Sequence, residues 1–310
     1  VRIAITGISG RFGRLLARRL HRRHAVVGID RRPYHERPAD VELHQIDIRR
    51  QRCEDIFRAG GFDAVVHLNV MHDPRASSED HHTFNIRGTT RVMEYCVRYA
   101  IPKLVLLSSA NVYGPRAENP QFLTEDAPLM GGTRFGEIRD LIALDMCAQS
   151  FFWKHPDVAT VILRPVHIVG AVRNAPSNYL RLEHIPRLAG FDPMLQIIHE
   201  ADVADAIAAA LEPGVRGVYN VAGCAPVPLS VLLRMTGRPT IDFPHFLAEA
   251  AVERLWRLRL TSFPAPEVDH LRYVCMVDDA PFRAATGFRA VNDLDATMAH
   301  LRLTSAADLR

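Results

Sequence analysis

Lysine is almost missing from this chain. Only Lys103 and Lys154 occur among its 38 basic residues, the other 36 being arginine. Cysteine is sparse as well. Cys53, Cys96, Cys147, Cys224 and Cys275 are odd in number and widely spaced, with no pair two apart, which argues against a disulfide framework or a zinc knuckle and makes a reducing cytoplasm the simplest setting. Long apolar runs are lacking too. No stretch of about 18 apolar residues escapes interruption by charge. The chain opens at Val1 to Thr6 in a strand-like run rather than a basic stretch followed by an apolar one, so neither a membrane span nor a signal peptide is expected. There is no strong charge of either sign: 38 basic against 35 acidic residues leave +3. One lopsided stretch, Arg14 to Arg32, sets seven arginines against Asp30 alone, and its spacing fits the outer face of an amphipathic helix better than a nucleic-acid patch. What remains is a chain of 310 residues, 48% apolar, without repeat or low-complexity segment, long enough for one large domain or two modest ones.

Apolar runs of strand length alternate with helix-periodic segments through the first two-thirds. Residues 2–6, 25–30, 42–46, 63–68, 103–108 and 158–163 read as strands, and 12–21, 51–58, 80–99 and 134–154 read as helices between them. Strand, helix, strand in this order, with runs too apolar for a half-exposed sheet, predicts a doubly wound α/β architecture, a parallel sheet with helices on both faces. After Pro165 the pattern breaks into Asn-, Pro- and Gly-containing loops, returns to one strand-like run at 217–221, and turns Pro-rich again around Pro226 to Pro244.

The run RIAITGISGRFGRLLARRL places Gly7, Gly10 and Gly13 at the join of the first strand and first helix. There the first glycine permits a tight turn, the second lets backbone approach a pyrophosphate, and the third lets helix and strand pack closely. Asp30 follows 17 residues past Gly13 at the end of the second strand, where a carboxylate accepts hydrogen bonds from the adenosine ribose hydroxyls. Asp30 repels a 2′-phosphate and so favours NAD, while Arg31 and Arg32 directly after it are placed to accept one, which keeps NADP open.

With these pieces the chain resembles an extended short-chain dehydrogenase/reductase of the NAD-dependent epimerase/dehydratase type, over nearly its whole length. Further pieces occur in family order: HQIDIRR, VVHLNV, FNIRGTTRVMEYC, LLSSANVYG, VILRPVHIVG and IIHEADVADAI. The resemblance implies a Rossmann-fold dinucleotide-binding domain over 1–165 that 199–222 rejoins, and a smaller substrate-binding lobe over 166–198 and 223–310. It implies that Gly7, Gly10, Arg11, Phe12, Gly13, Asp30, Arg31, Asp47, Ile48, Leu68, Asn69, Asn85, Ser108, Arg139 and Pro165 bind the cofactor, with Asp47 at the adenine and Asn85 as the helix asparagine. Ser109 matches the active-site serine. A homodimer paired through the 80–99 and 134–154 helices is the family default.

The catalytic pair departs from the family. Its members use a tyrosine and, four residues on, a lysine on the helix after the serine loop, so that both side chains share a face. The tyrosine passes a proton while the ammonium lowers its pKa and holds the nicotinamide ribose. Here those positions are Phe135 and Arg139. Arginine for lysine is nearly expected in a chain with two lysines, and Arg139 keeps the charge and can still hold a ribose. Phe135, by contrast, has no proton to give or take. One tyrosine–lysine pair with the right spacing exists, Tyr99 and Lys103, but Pro102 between them makes it a coincidence. Tyr113 of the VYG turn, His72, His81, His82 and above all His167, after the strand-ending LRP, are the other candidates for proton transfer.

The substrate end departs as well. Nucleotide-sugar members carry an asparagine where this chain has His167 and an arginine near Leu195, both serving the substrate's diphosphate, so the nucleotide-sugar assignment is weakened and the small-molecule substrate stays open, a nucleotide sugar or another. Arg164, Arg173, Arg181 and Asn178 are candidates to compensate, and Asn69 and Met71 stand where small residues are usual beside the nicotinamide. The amphipathic run from His245 to Leu260 suits packing over the pocket or a subunit contact better than a membrane surface. Neither a metal nor a nucleic-acid or membrane partner is called for. An NAD(P)-binding oxidoreductase with altered acid/base chemistry leads, and a dinucleotide-binding regulator that has discarded catalysis is its rival.

Overall fold

Alternation along the strands decides how the sheet is covered. In β1 (Arg2–Thr6) Ile3 and Ile5 join one apolar cluster and Ala4 the other. The same split recurs in β2 (Ala25–Asp30), where Val26 faces one way and Val27 and Ile29 the other, and in β4 (Ala64–His67), where Ala64 and Val66 oppose Val65. Both faces are therefore apolar, and both need a cover. On one side lie Leu16, Ala17 and Leu20 of α1 (Arg11–Leu20) with Val203, Ala206, Ile207 and Ala210 of the helix Glu200–Ala210. On the other lie Cys53 and Phe57 of α2 (Arg52–Gly60), Val92, Met93 and Cys96 of α3 (Gly88–Arg98), and Ala148 and Phe151 of α4 (Gly136–Lys154).

The computed structural model describes residues 1–68, 79, 82–133, 136–172, 174–245, 254 and 265–303. With β3 (Glu42–Gln45), β5 (Lys103–Leu107), β6 (Ala159–Pro165) and the later strand Gly217–Val221, the sheet has seven strands. Their order is Gly217–Val221, β6, β5, β4, β1, β2, β3, and every pairing is parallel. The predicted doubly wound α/β sheet is thus present, with strand limits within two residues of those expected. Strand order reverses at β1, with β2 on one side and β4 on the other, which opens a crevice at the carboxyl ends of β1 and β4. Gly7 and Leu68 stand at that edge.

Beyond Pro165 the chain builds three two-stranded pieces that the sequence did not announce. His167–Val169 pairs with Ile197–His199 and Ile185–Leu188 with Thr240–Phe243, both parallel, and Met194–Leu195 pairs antiparallel with Val227–Pro228. A third apolar cluster knits them together, drawing on Val169, Leu180, Ile185, Ile197, Leu229 and Leu232 and on Met298 and Leu301 of the last helix, Leu294–Leu303. The segment around Val277 returns to the sheet domain. Gln196 clamps Val277 by donating to its carbonyl and accepting from its N–H, and Leu123 bridges the same residue.

Candidate functional site

The glycine turn has the shape that its spacing predicts. Gly7 lies at φ +78°, and the Gly10 N–H donates to the Gly7 carbonyl at 3.0 Å. A Cβ on Gly13 would stand 2.5 Å from the Gly7 oxygen and from the Ile8 Cα, so any side chain there would force α1 off β1. The first residues of α1 present backbone N–H groups at a helix N-terminus, a place that suits an anion. Arg11 reaches away from the turn and makes two 2.6 Å bonds to the buried carboxylate of Glu200, tying α1 to the helix Glu200–Ala210.

Asp30 is 2% exposed, and both its oxygens are in use. The Ser9 N–H donates to Oδ2 at 3.1 Å and the Arg32 N–H to Oδ1 at 2.9 Å, while the Arg32 guanidinium adds Nε to Oδ1 at 3.2 Å and Nη2 to Oδ2 at 3.1 Å. Arg32 is the residue that sequence reasoning undervalued, since only the fold shows its side chain turned back onto the ribose acceptor and against Gly10. Asp47 is paired in the same manner with Arg49, at 2.7 Å for its closest contact. Burial alone would raise its carboxyl, but the Arg49 bonds outweigh burial and hold it below its ordinary value. Arg31 and Arg49 each set a guanidinium against the Phe84 ring, at 5.5 and 5.2 Å from its centroid. Ile48 is buried beneath Gly88.

Asn85 is 2% exposed and sits in a π turn, Thr83–Arg87, that leads into α3. Its carbonyl accepts the Thr89 hydroxyl at 2.5 Å. That fixes the next proton along: Thr89 Oγ1 must accept from Nε2 of His67 at 2.9 Å, so Nδ1 of His67 accepts the Thr6 hydroxyl at 2.7 Å. Burial pushes the His67 imidazole down to about 4, which keeps it neutral. Leu68, half-buried, donates its N–H to the Thr6 carbonyl at 3.1 Å.

Ser109 and Ser108 face different partners. Ser109 is half-buried, and its Oγ accepts the Asn111 N–H at 3.1 Å, which leaves the hydroxyl proton to point elsewhere. Ser108 is buried and donates to Asp145 at 2.6 Å, within a network in which Asp145 also takes two bonds from Arg164, at 2.9 and 2.6 Å. Arg164 in turn donates to the Tyr113 hydroxyl at 2.7 Å, and that hydroxyl donates to Asn220 at 2.8 Å. Burial pushes Tyr113 up to about 12, with Arg164 opposing. Tyr113 is therefore no substitute acid or base, and Arg164, 0% exposed, is no ligand for a diphosphate. Arg181 is excluded for the same reason, being buried with its guanidinium on the carbonyls of Val172 and Gly170.

The α4 helix carries Arg139 beside Gly132. Arg139 is exposed, and its stem lies against Gly132, where an added Cβ would meet Cγ at 2.9 Å. Gly131 next to it abuts the Asn111 carbonyl so closely that a Cβ would stand at 2.2 Å. Phe135, Asn69, Met71, His72, His81 and Arg173 lie outside the described residues, as does most of the stretch from His245 to Leu260. His82 is exposed and 3.4 Å from Asp140. Tyr99 and Lys103 do not meet: Tyr99 donates to Glu54 at 2.9 Å and Lys103 to the carbonyls of Glu212 and Val215.

His167 lines a cavity in company with His270, whose ring meets it edge to face at 4.9 Å between centroids. Burial pushes His167 down to about 4 and His270 well below its ordinary value, the neighbouring imidazole adding to the latter. Among the described residues no group of three His, Cys, Asp or Glu side chains is placed to hold a metal ion, and no helix is long and apolar enough to cross a membrane.

Comparison with known proteins matches this geometry. The model of the NAD dependent epimerase/dehydratase family matches residues 3–222. An uncharacterized protein of Mycobacterium tuberculosis is 27% identical over 254 residues, 80% of this chain and 67% of that protein. UDP-glucose 4-epimerase 4 of Oryza sativa subsp. japonica is 31% identical over 149 residues, 47% of this chain but 38% of its own length. In structure the UDP-Glc/GlcNAc 4-epimerase of Campylobacter jejuni superposes with a TM-score of 0.77 at 15% identity, covering 97% of each chain. The Thermus thermophilus UDP-glucose 4-epimerase, in complex with NAD, gives 0.73 at 20% identity over 97% of this chain and 99% of its own. At these identities the structural likeness is one of fold.

Proposed function

Because the chain belongs to the NAD-dependent epimerase/dehydratase family, we propose that it binds NAD in the β1–β4 crevice and works as an oxidoreductase of epimerase or dehydratase type with an altered proton-transfer apparatus. The observation that carries this reading is the glycine turn facing the buried Asp30, a cradle that a Cβ at Gly13 would destroy. When bound, NAD supplies a hydride donor or acceptor at its nicotinamide ring. Gly7, Gly10 and Gly13, with the N–H groups of Arg11 and Phe12, make room and charge complementarity for a pyrophosphate. Asp30 accepts from the adenosine ribose, while Asp47, Ile48, Arg31 and Leu68 border the adenine end. Pro165, Asn85 and Ser108 shape the crevice; Asn69, assigned to the cofactor by resemblance, lies outside the described residues.

Arg139 holds the nicotinamide ribose with a charge that no physiological pH removes. Ser109 orients the substrate oxygen at a carbinol or keto carbon. Phe135 carries no proton and Tyr113 is locked, so proton transfer falls to water held at Ser109 or to the neutral imidazole of His167. The division into a dinucleotide-binding part (1–165 with 199–222) and a substrate lobe (166–198 and 223–310) belongs to the same reading, as do a reducing cytoplasmic setting and a substrate other than a nucleotide sugar. So does a homodimer through α3 and α4: Val97, Met146 and Trp153 expose 42, 59 and 80% of their surface on those two helices.

Calorimetric titration of nucleotide-stripped protein with NAD⁺, NADH, NADP⁺ and NADPH tests the cofactor, and micromolar binding of the NAD pair is expected. Heat from none of the four overturns the reading. Turnover of a carbinol panel should fall by about 10²–10⁴ in Ser109→Ala, the range typical of lost proton-transfer machinery. The locked Tyr113 and the missing hydroxyl at position 135 favour a second reading, a dinucleotide-dependent regulator without turnover. It predicts binding without reaction in the parent, and activity created by Phe135→Tyr with Arg139→Lys would show that only the proton carrier had been lost.

A further inference from the structure

The cavity beside His167 has a surface that is almost wholly carbon. It measures about 40 Å³ and is bordered by Leu195, Leu229, Leu232, Leu180, Ile197 and the two imidazoles. One water needs roughly 10–15 Å³ of such space, so the room suits a group of three or four heavy atoms. A diphosphate requires guanidinium, ammonium or amide donors around it. Here His167 stands where the resemblance expects an asparagine and Leu195 close to where it expects an arginine, and both line this one cavity. The buried guanidiniums of Arg164 and Arg181 are committed to Asp145 and to backbone carbonyls. Both histidines are neutral through burial, so neither offers a cation. Nδ1 of His167 is shut off from solvent without a hydrogen-bond partner among the described residues, so the imidazole meets the cavity without offering that nitrogen to a ligand.

We infer that this cavity receives a short, uncharged alkyl group of the substrate, three or four carbons, and that it excludes a nucleoside diphosphate. The inference rests on the reading of 166–198 and 223–310 as the substrate lobe. It names the chemical class of group that the lobe selects.

Isovaleramide, an isobutyl group on a neutral amide, is the probe, with UDP as its anionic counterpart. Saturation-transfer NMR on the protein with and without NAD⁺ should show the isovaleramide methyl protons in contact and no UDP signal. Filling the cavity by Leu229→Trp, or by the gentler Leu195→Phe at a half-buried position, should cut the methyl signal at least fivefold while circular dichroism and the NAD⁺ heat stay as in the parent. The inference is overturned if isovaleramide gives no transfer, if both filled variants that keep the parent's fold retain the full signal, or if UDP binds and displaces it. Loss of the NAD⁺ heat in the parent would instead strike the cofactor reading, because the cofactor-free arm judges the cavity by itself.

Discussion

At the scale of single residues, the most consequential side chain is Arg32. Its guanidinium occupies both oxygens of Asp30, the acceptor that a ribose needs, so binding NAD means sharing or displacing that contact. Arg32→Ala should therefore tighten NAD⁺ by about three- to tenfold, the net worth of roughly one ordinary hydrogen bond. The same change should weaken NADP⁺, whose 2′-phosphate loses a cation. Paired calorimetric titrations read both effects, and equal shifts for the two cofactors would assign Arg32 a merely structural part. Asp30 itself was legible from its spacing past Gly13. The arginine that covers it was not, because a run of two arginines after a strand does not tell which one folds back. Nor did the strand sequence VILRP tell that Arg164 points into the interior to meet Asp145, 19 residues earlier on α4.

At the scale of elements, the Thr6, His67, Thr89 chain stitches β1, β4 and α3 by side chains across the backbone ladder. It also makes stability depend on pH. Buried His67 takes a proton only near pH 4, whereas the unfolded imidazole does so near 6.5, so the unfolded state binds more protons between those values. The stabilisation from neutral His67 is fully present above about pH 6.5 and is lost as pH falls toward 4. About 2 kcal/mol should be gone at pH 5. Urea unfolding at pH 7 and pH 5 measures this, and His67→Gln should be less stable at pH 7 yet show a flatter dependence. The long strands were readable because both of their faces are buried and their apolar runs are continuous. The two- to four-residue strands after Pro165 were not, since they span at most two turns of the strand alternation and two of them contain proline, at Pro186 and Pro228. The π turn at Thr83–Arg87 escapes a search for 3.6-residue periodicity for the same geometric reason that makes it a bulge.

At the scale of the whole molecule, Arg164 and Asp145 join α4, β6, the serine turn and the last strand of the sheet in one buried network, fully out of water. Asp145→Ala leaves a guanidinium buried and unpaired, and should cost about 3–5 kcal/mol in denaturant midpoint analysis. Asp145→Leu combined with Arg164→Met should cost much less, because no orphaned charge remains. Were the single and double variants equally unstable, packing rather than charge would be the source of the loss. Fold and cofactor cradle were thus readable from glycine spacing and apolar runs, whereas the links between distant segments, Gln196 on Val277 and Arg11 on Glu200, come from the fold alone. The scarcity of lysine has a practical outcome of its own. Lys103 is 8% exposed with its ammonium on two carbonyls, and burial pushes it down to about 8, so Lys154 at the end of α4 is the one lysine open to reagents. Among the lysine side chains an amine-reactive dye should therefore mark Lys154 alone, so that a label carried on a lysine reports on the far end of α4.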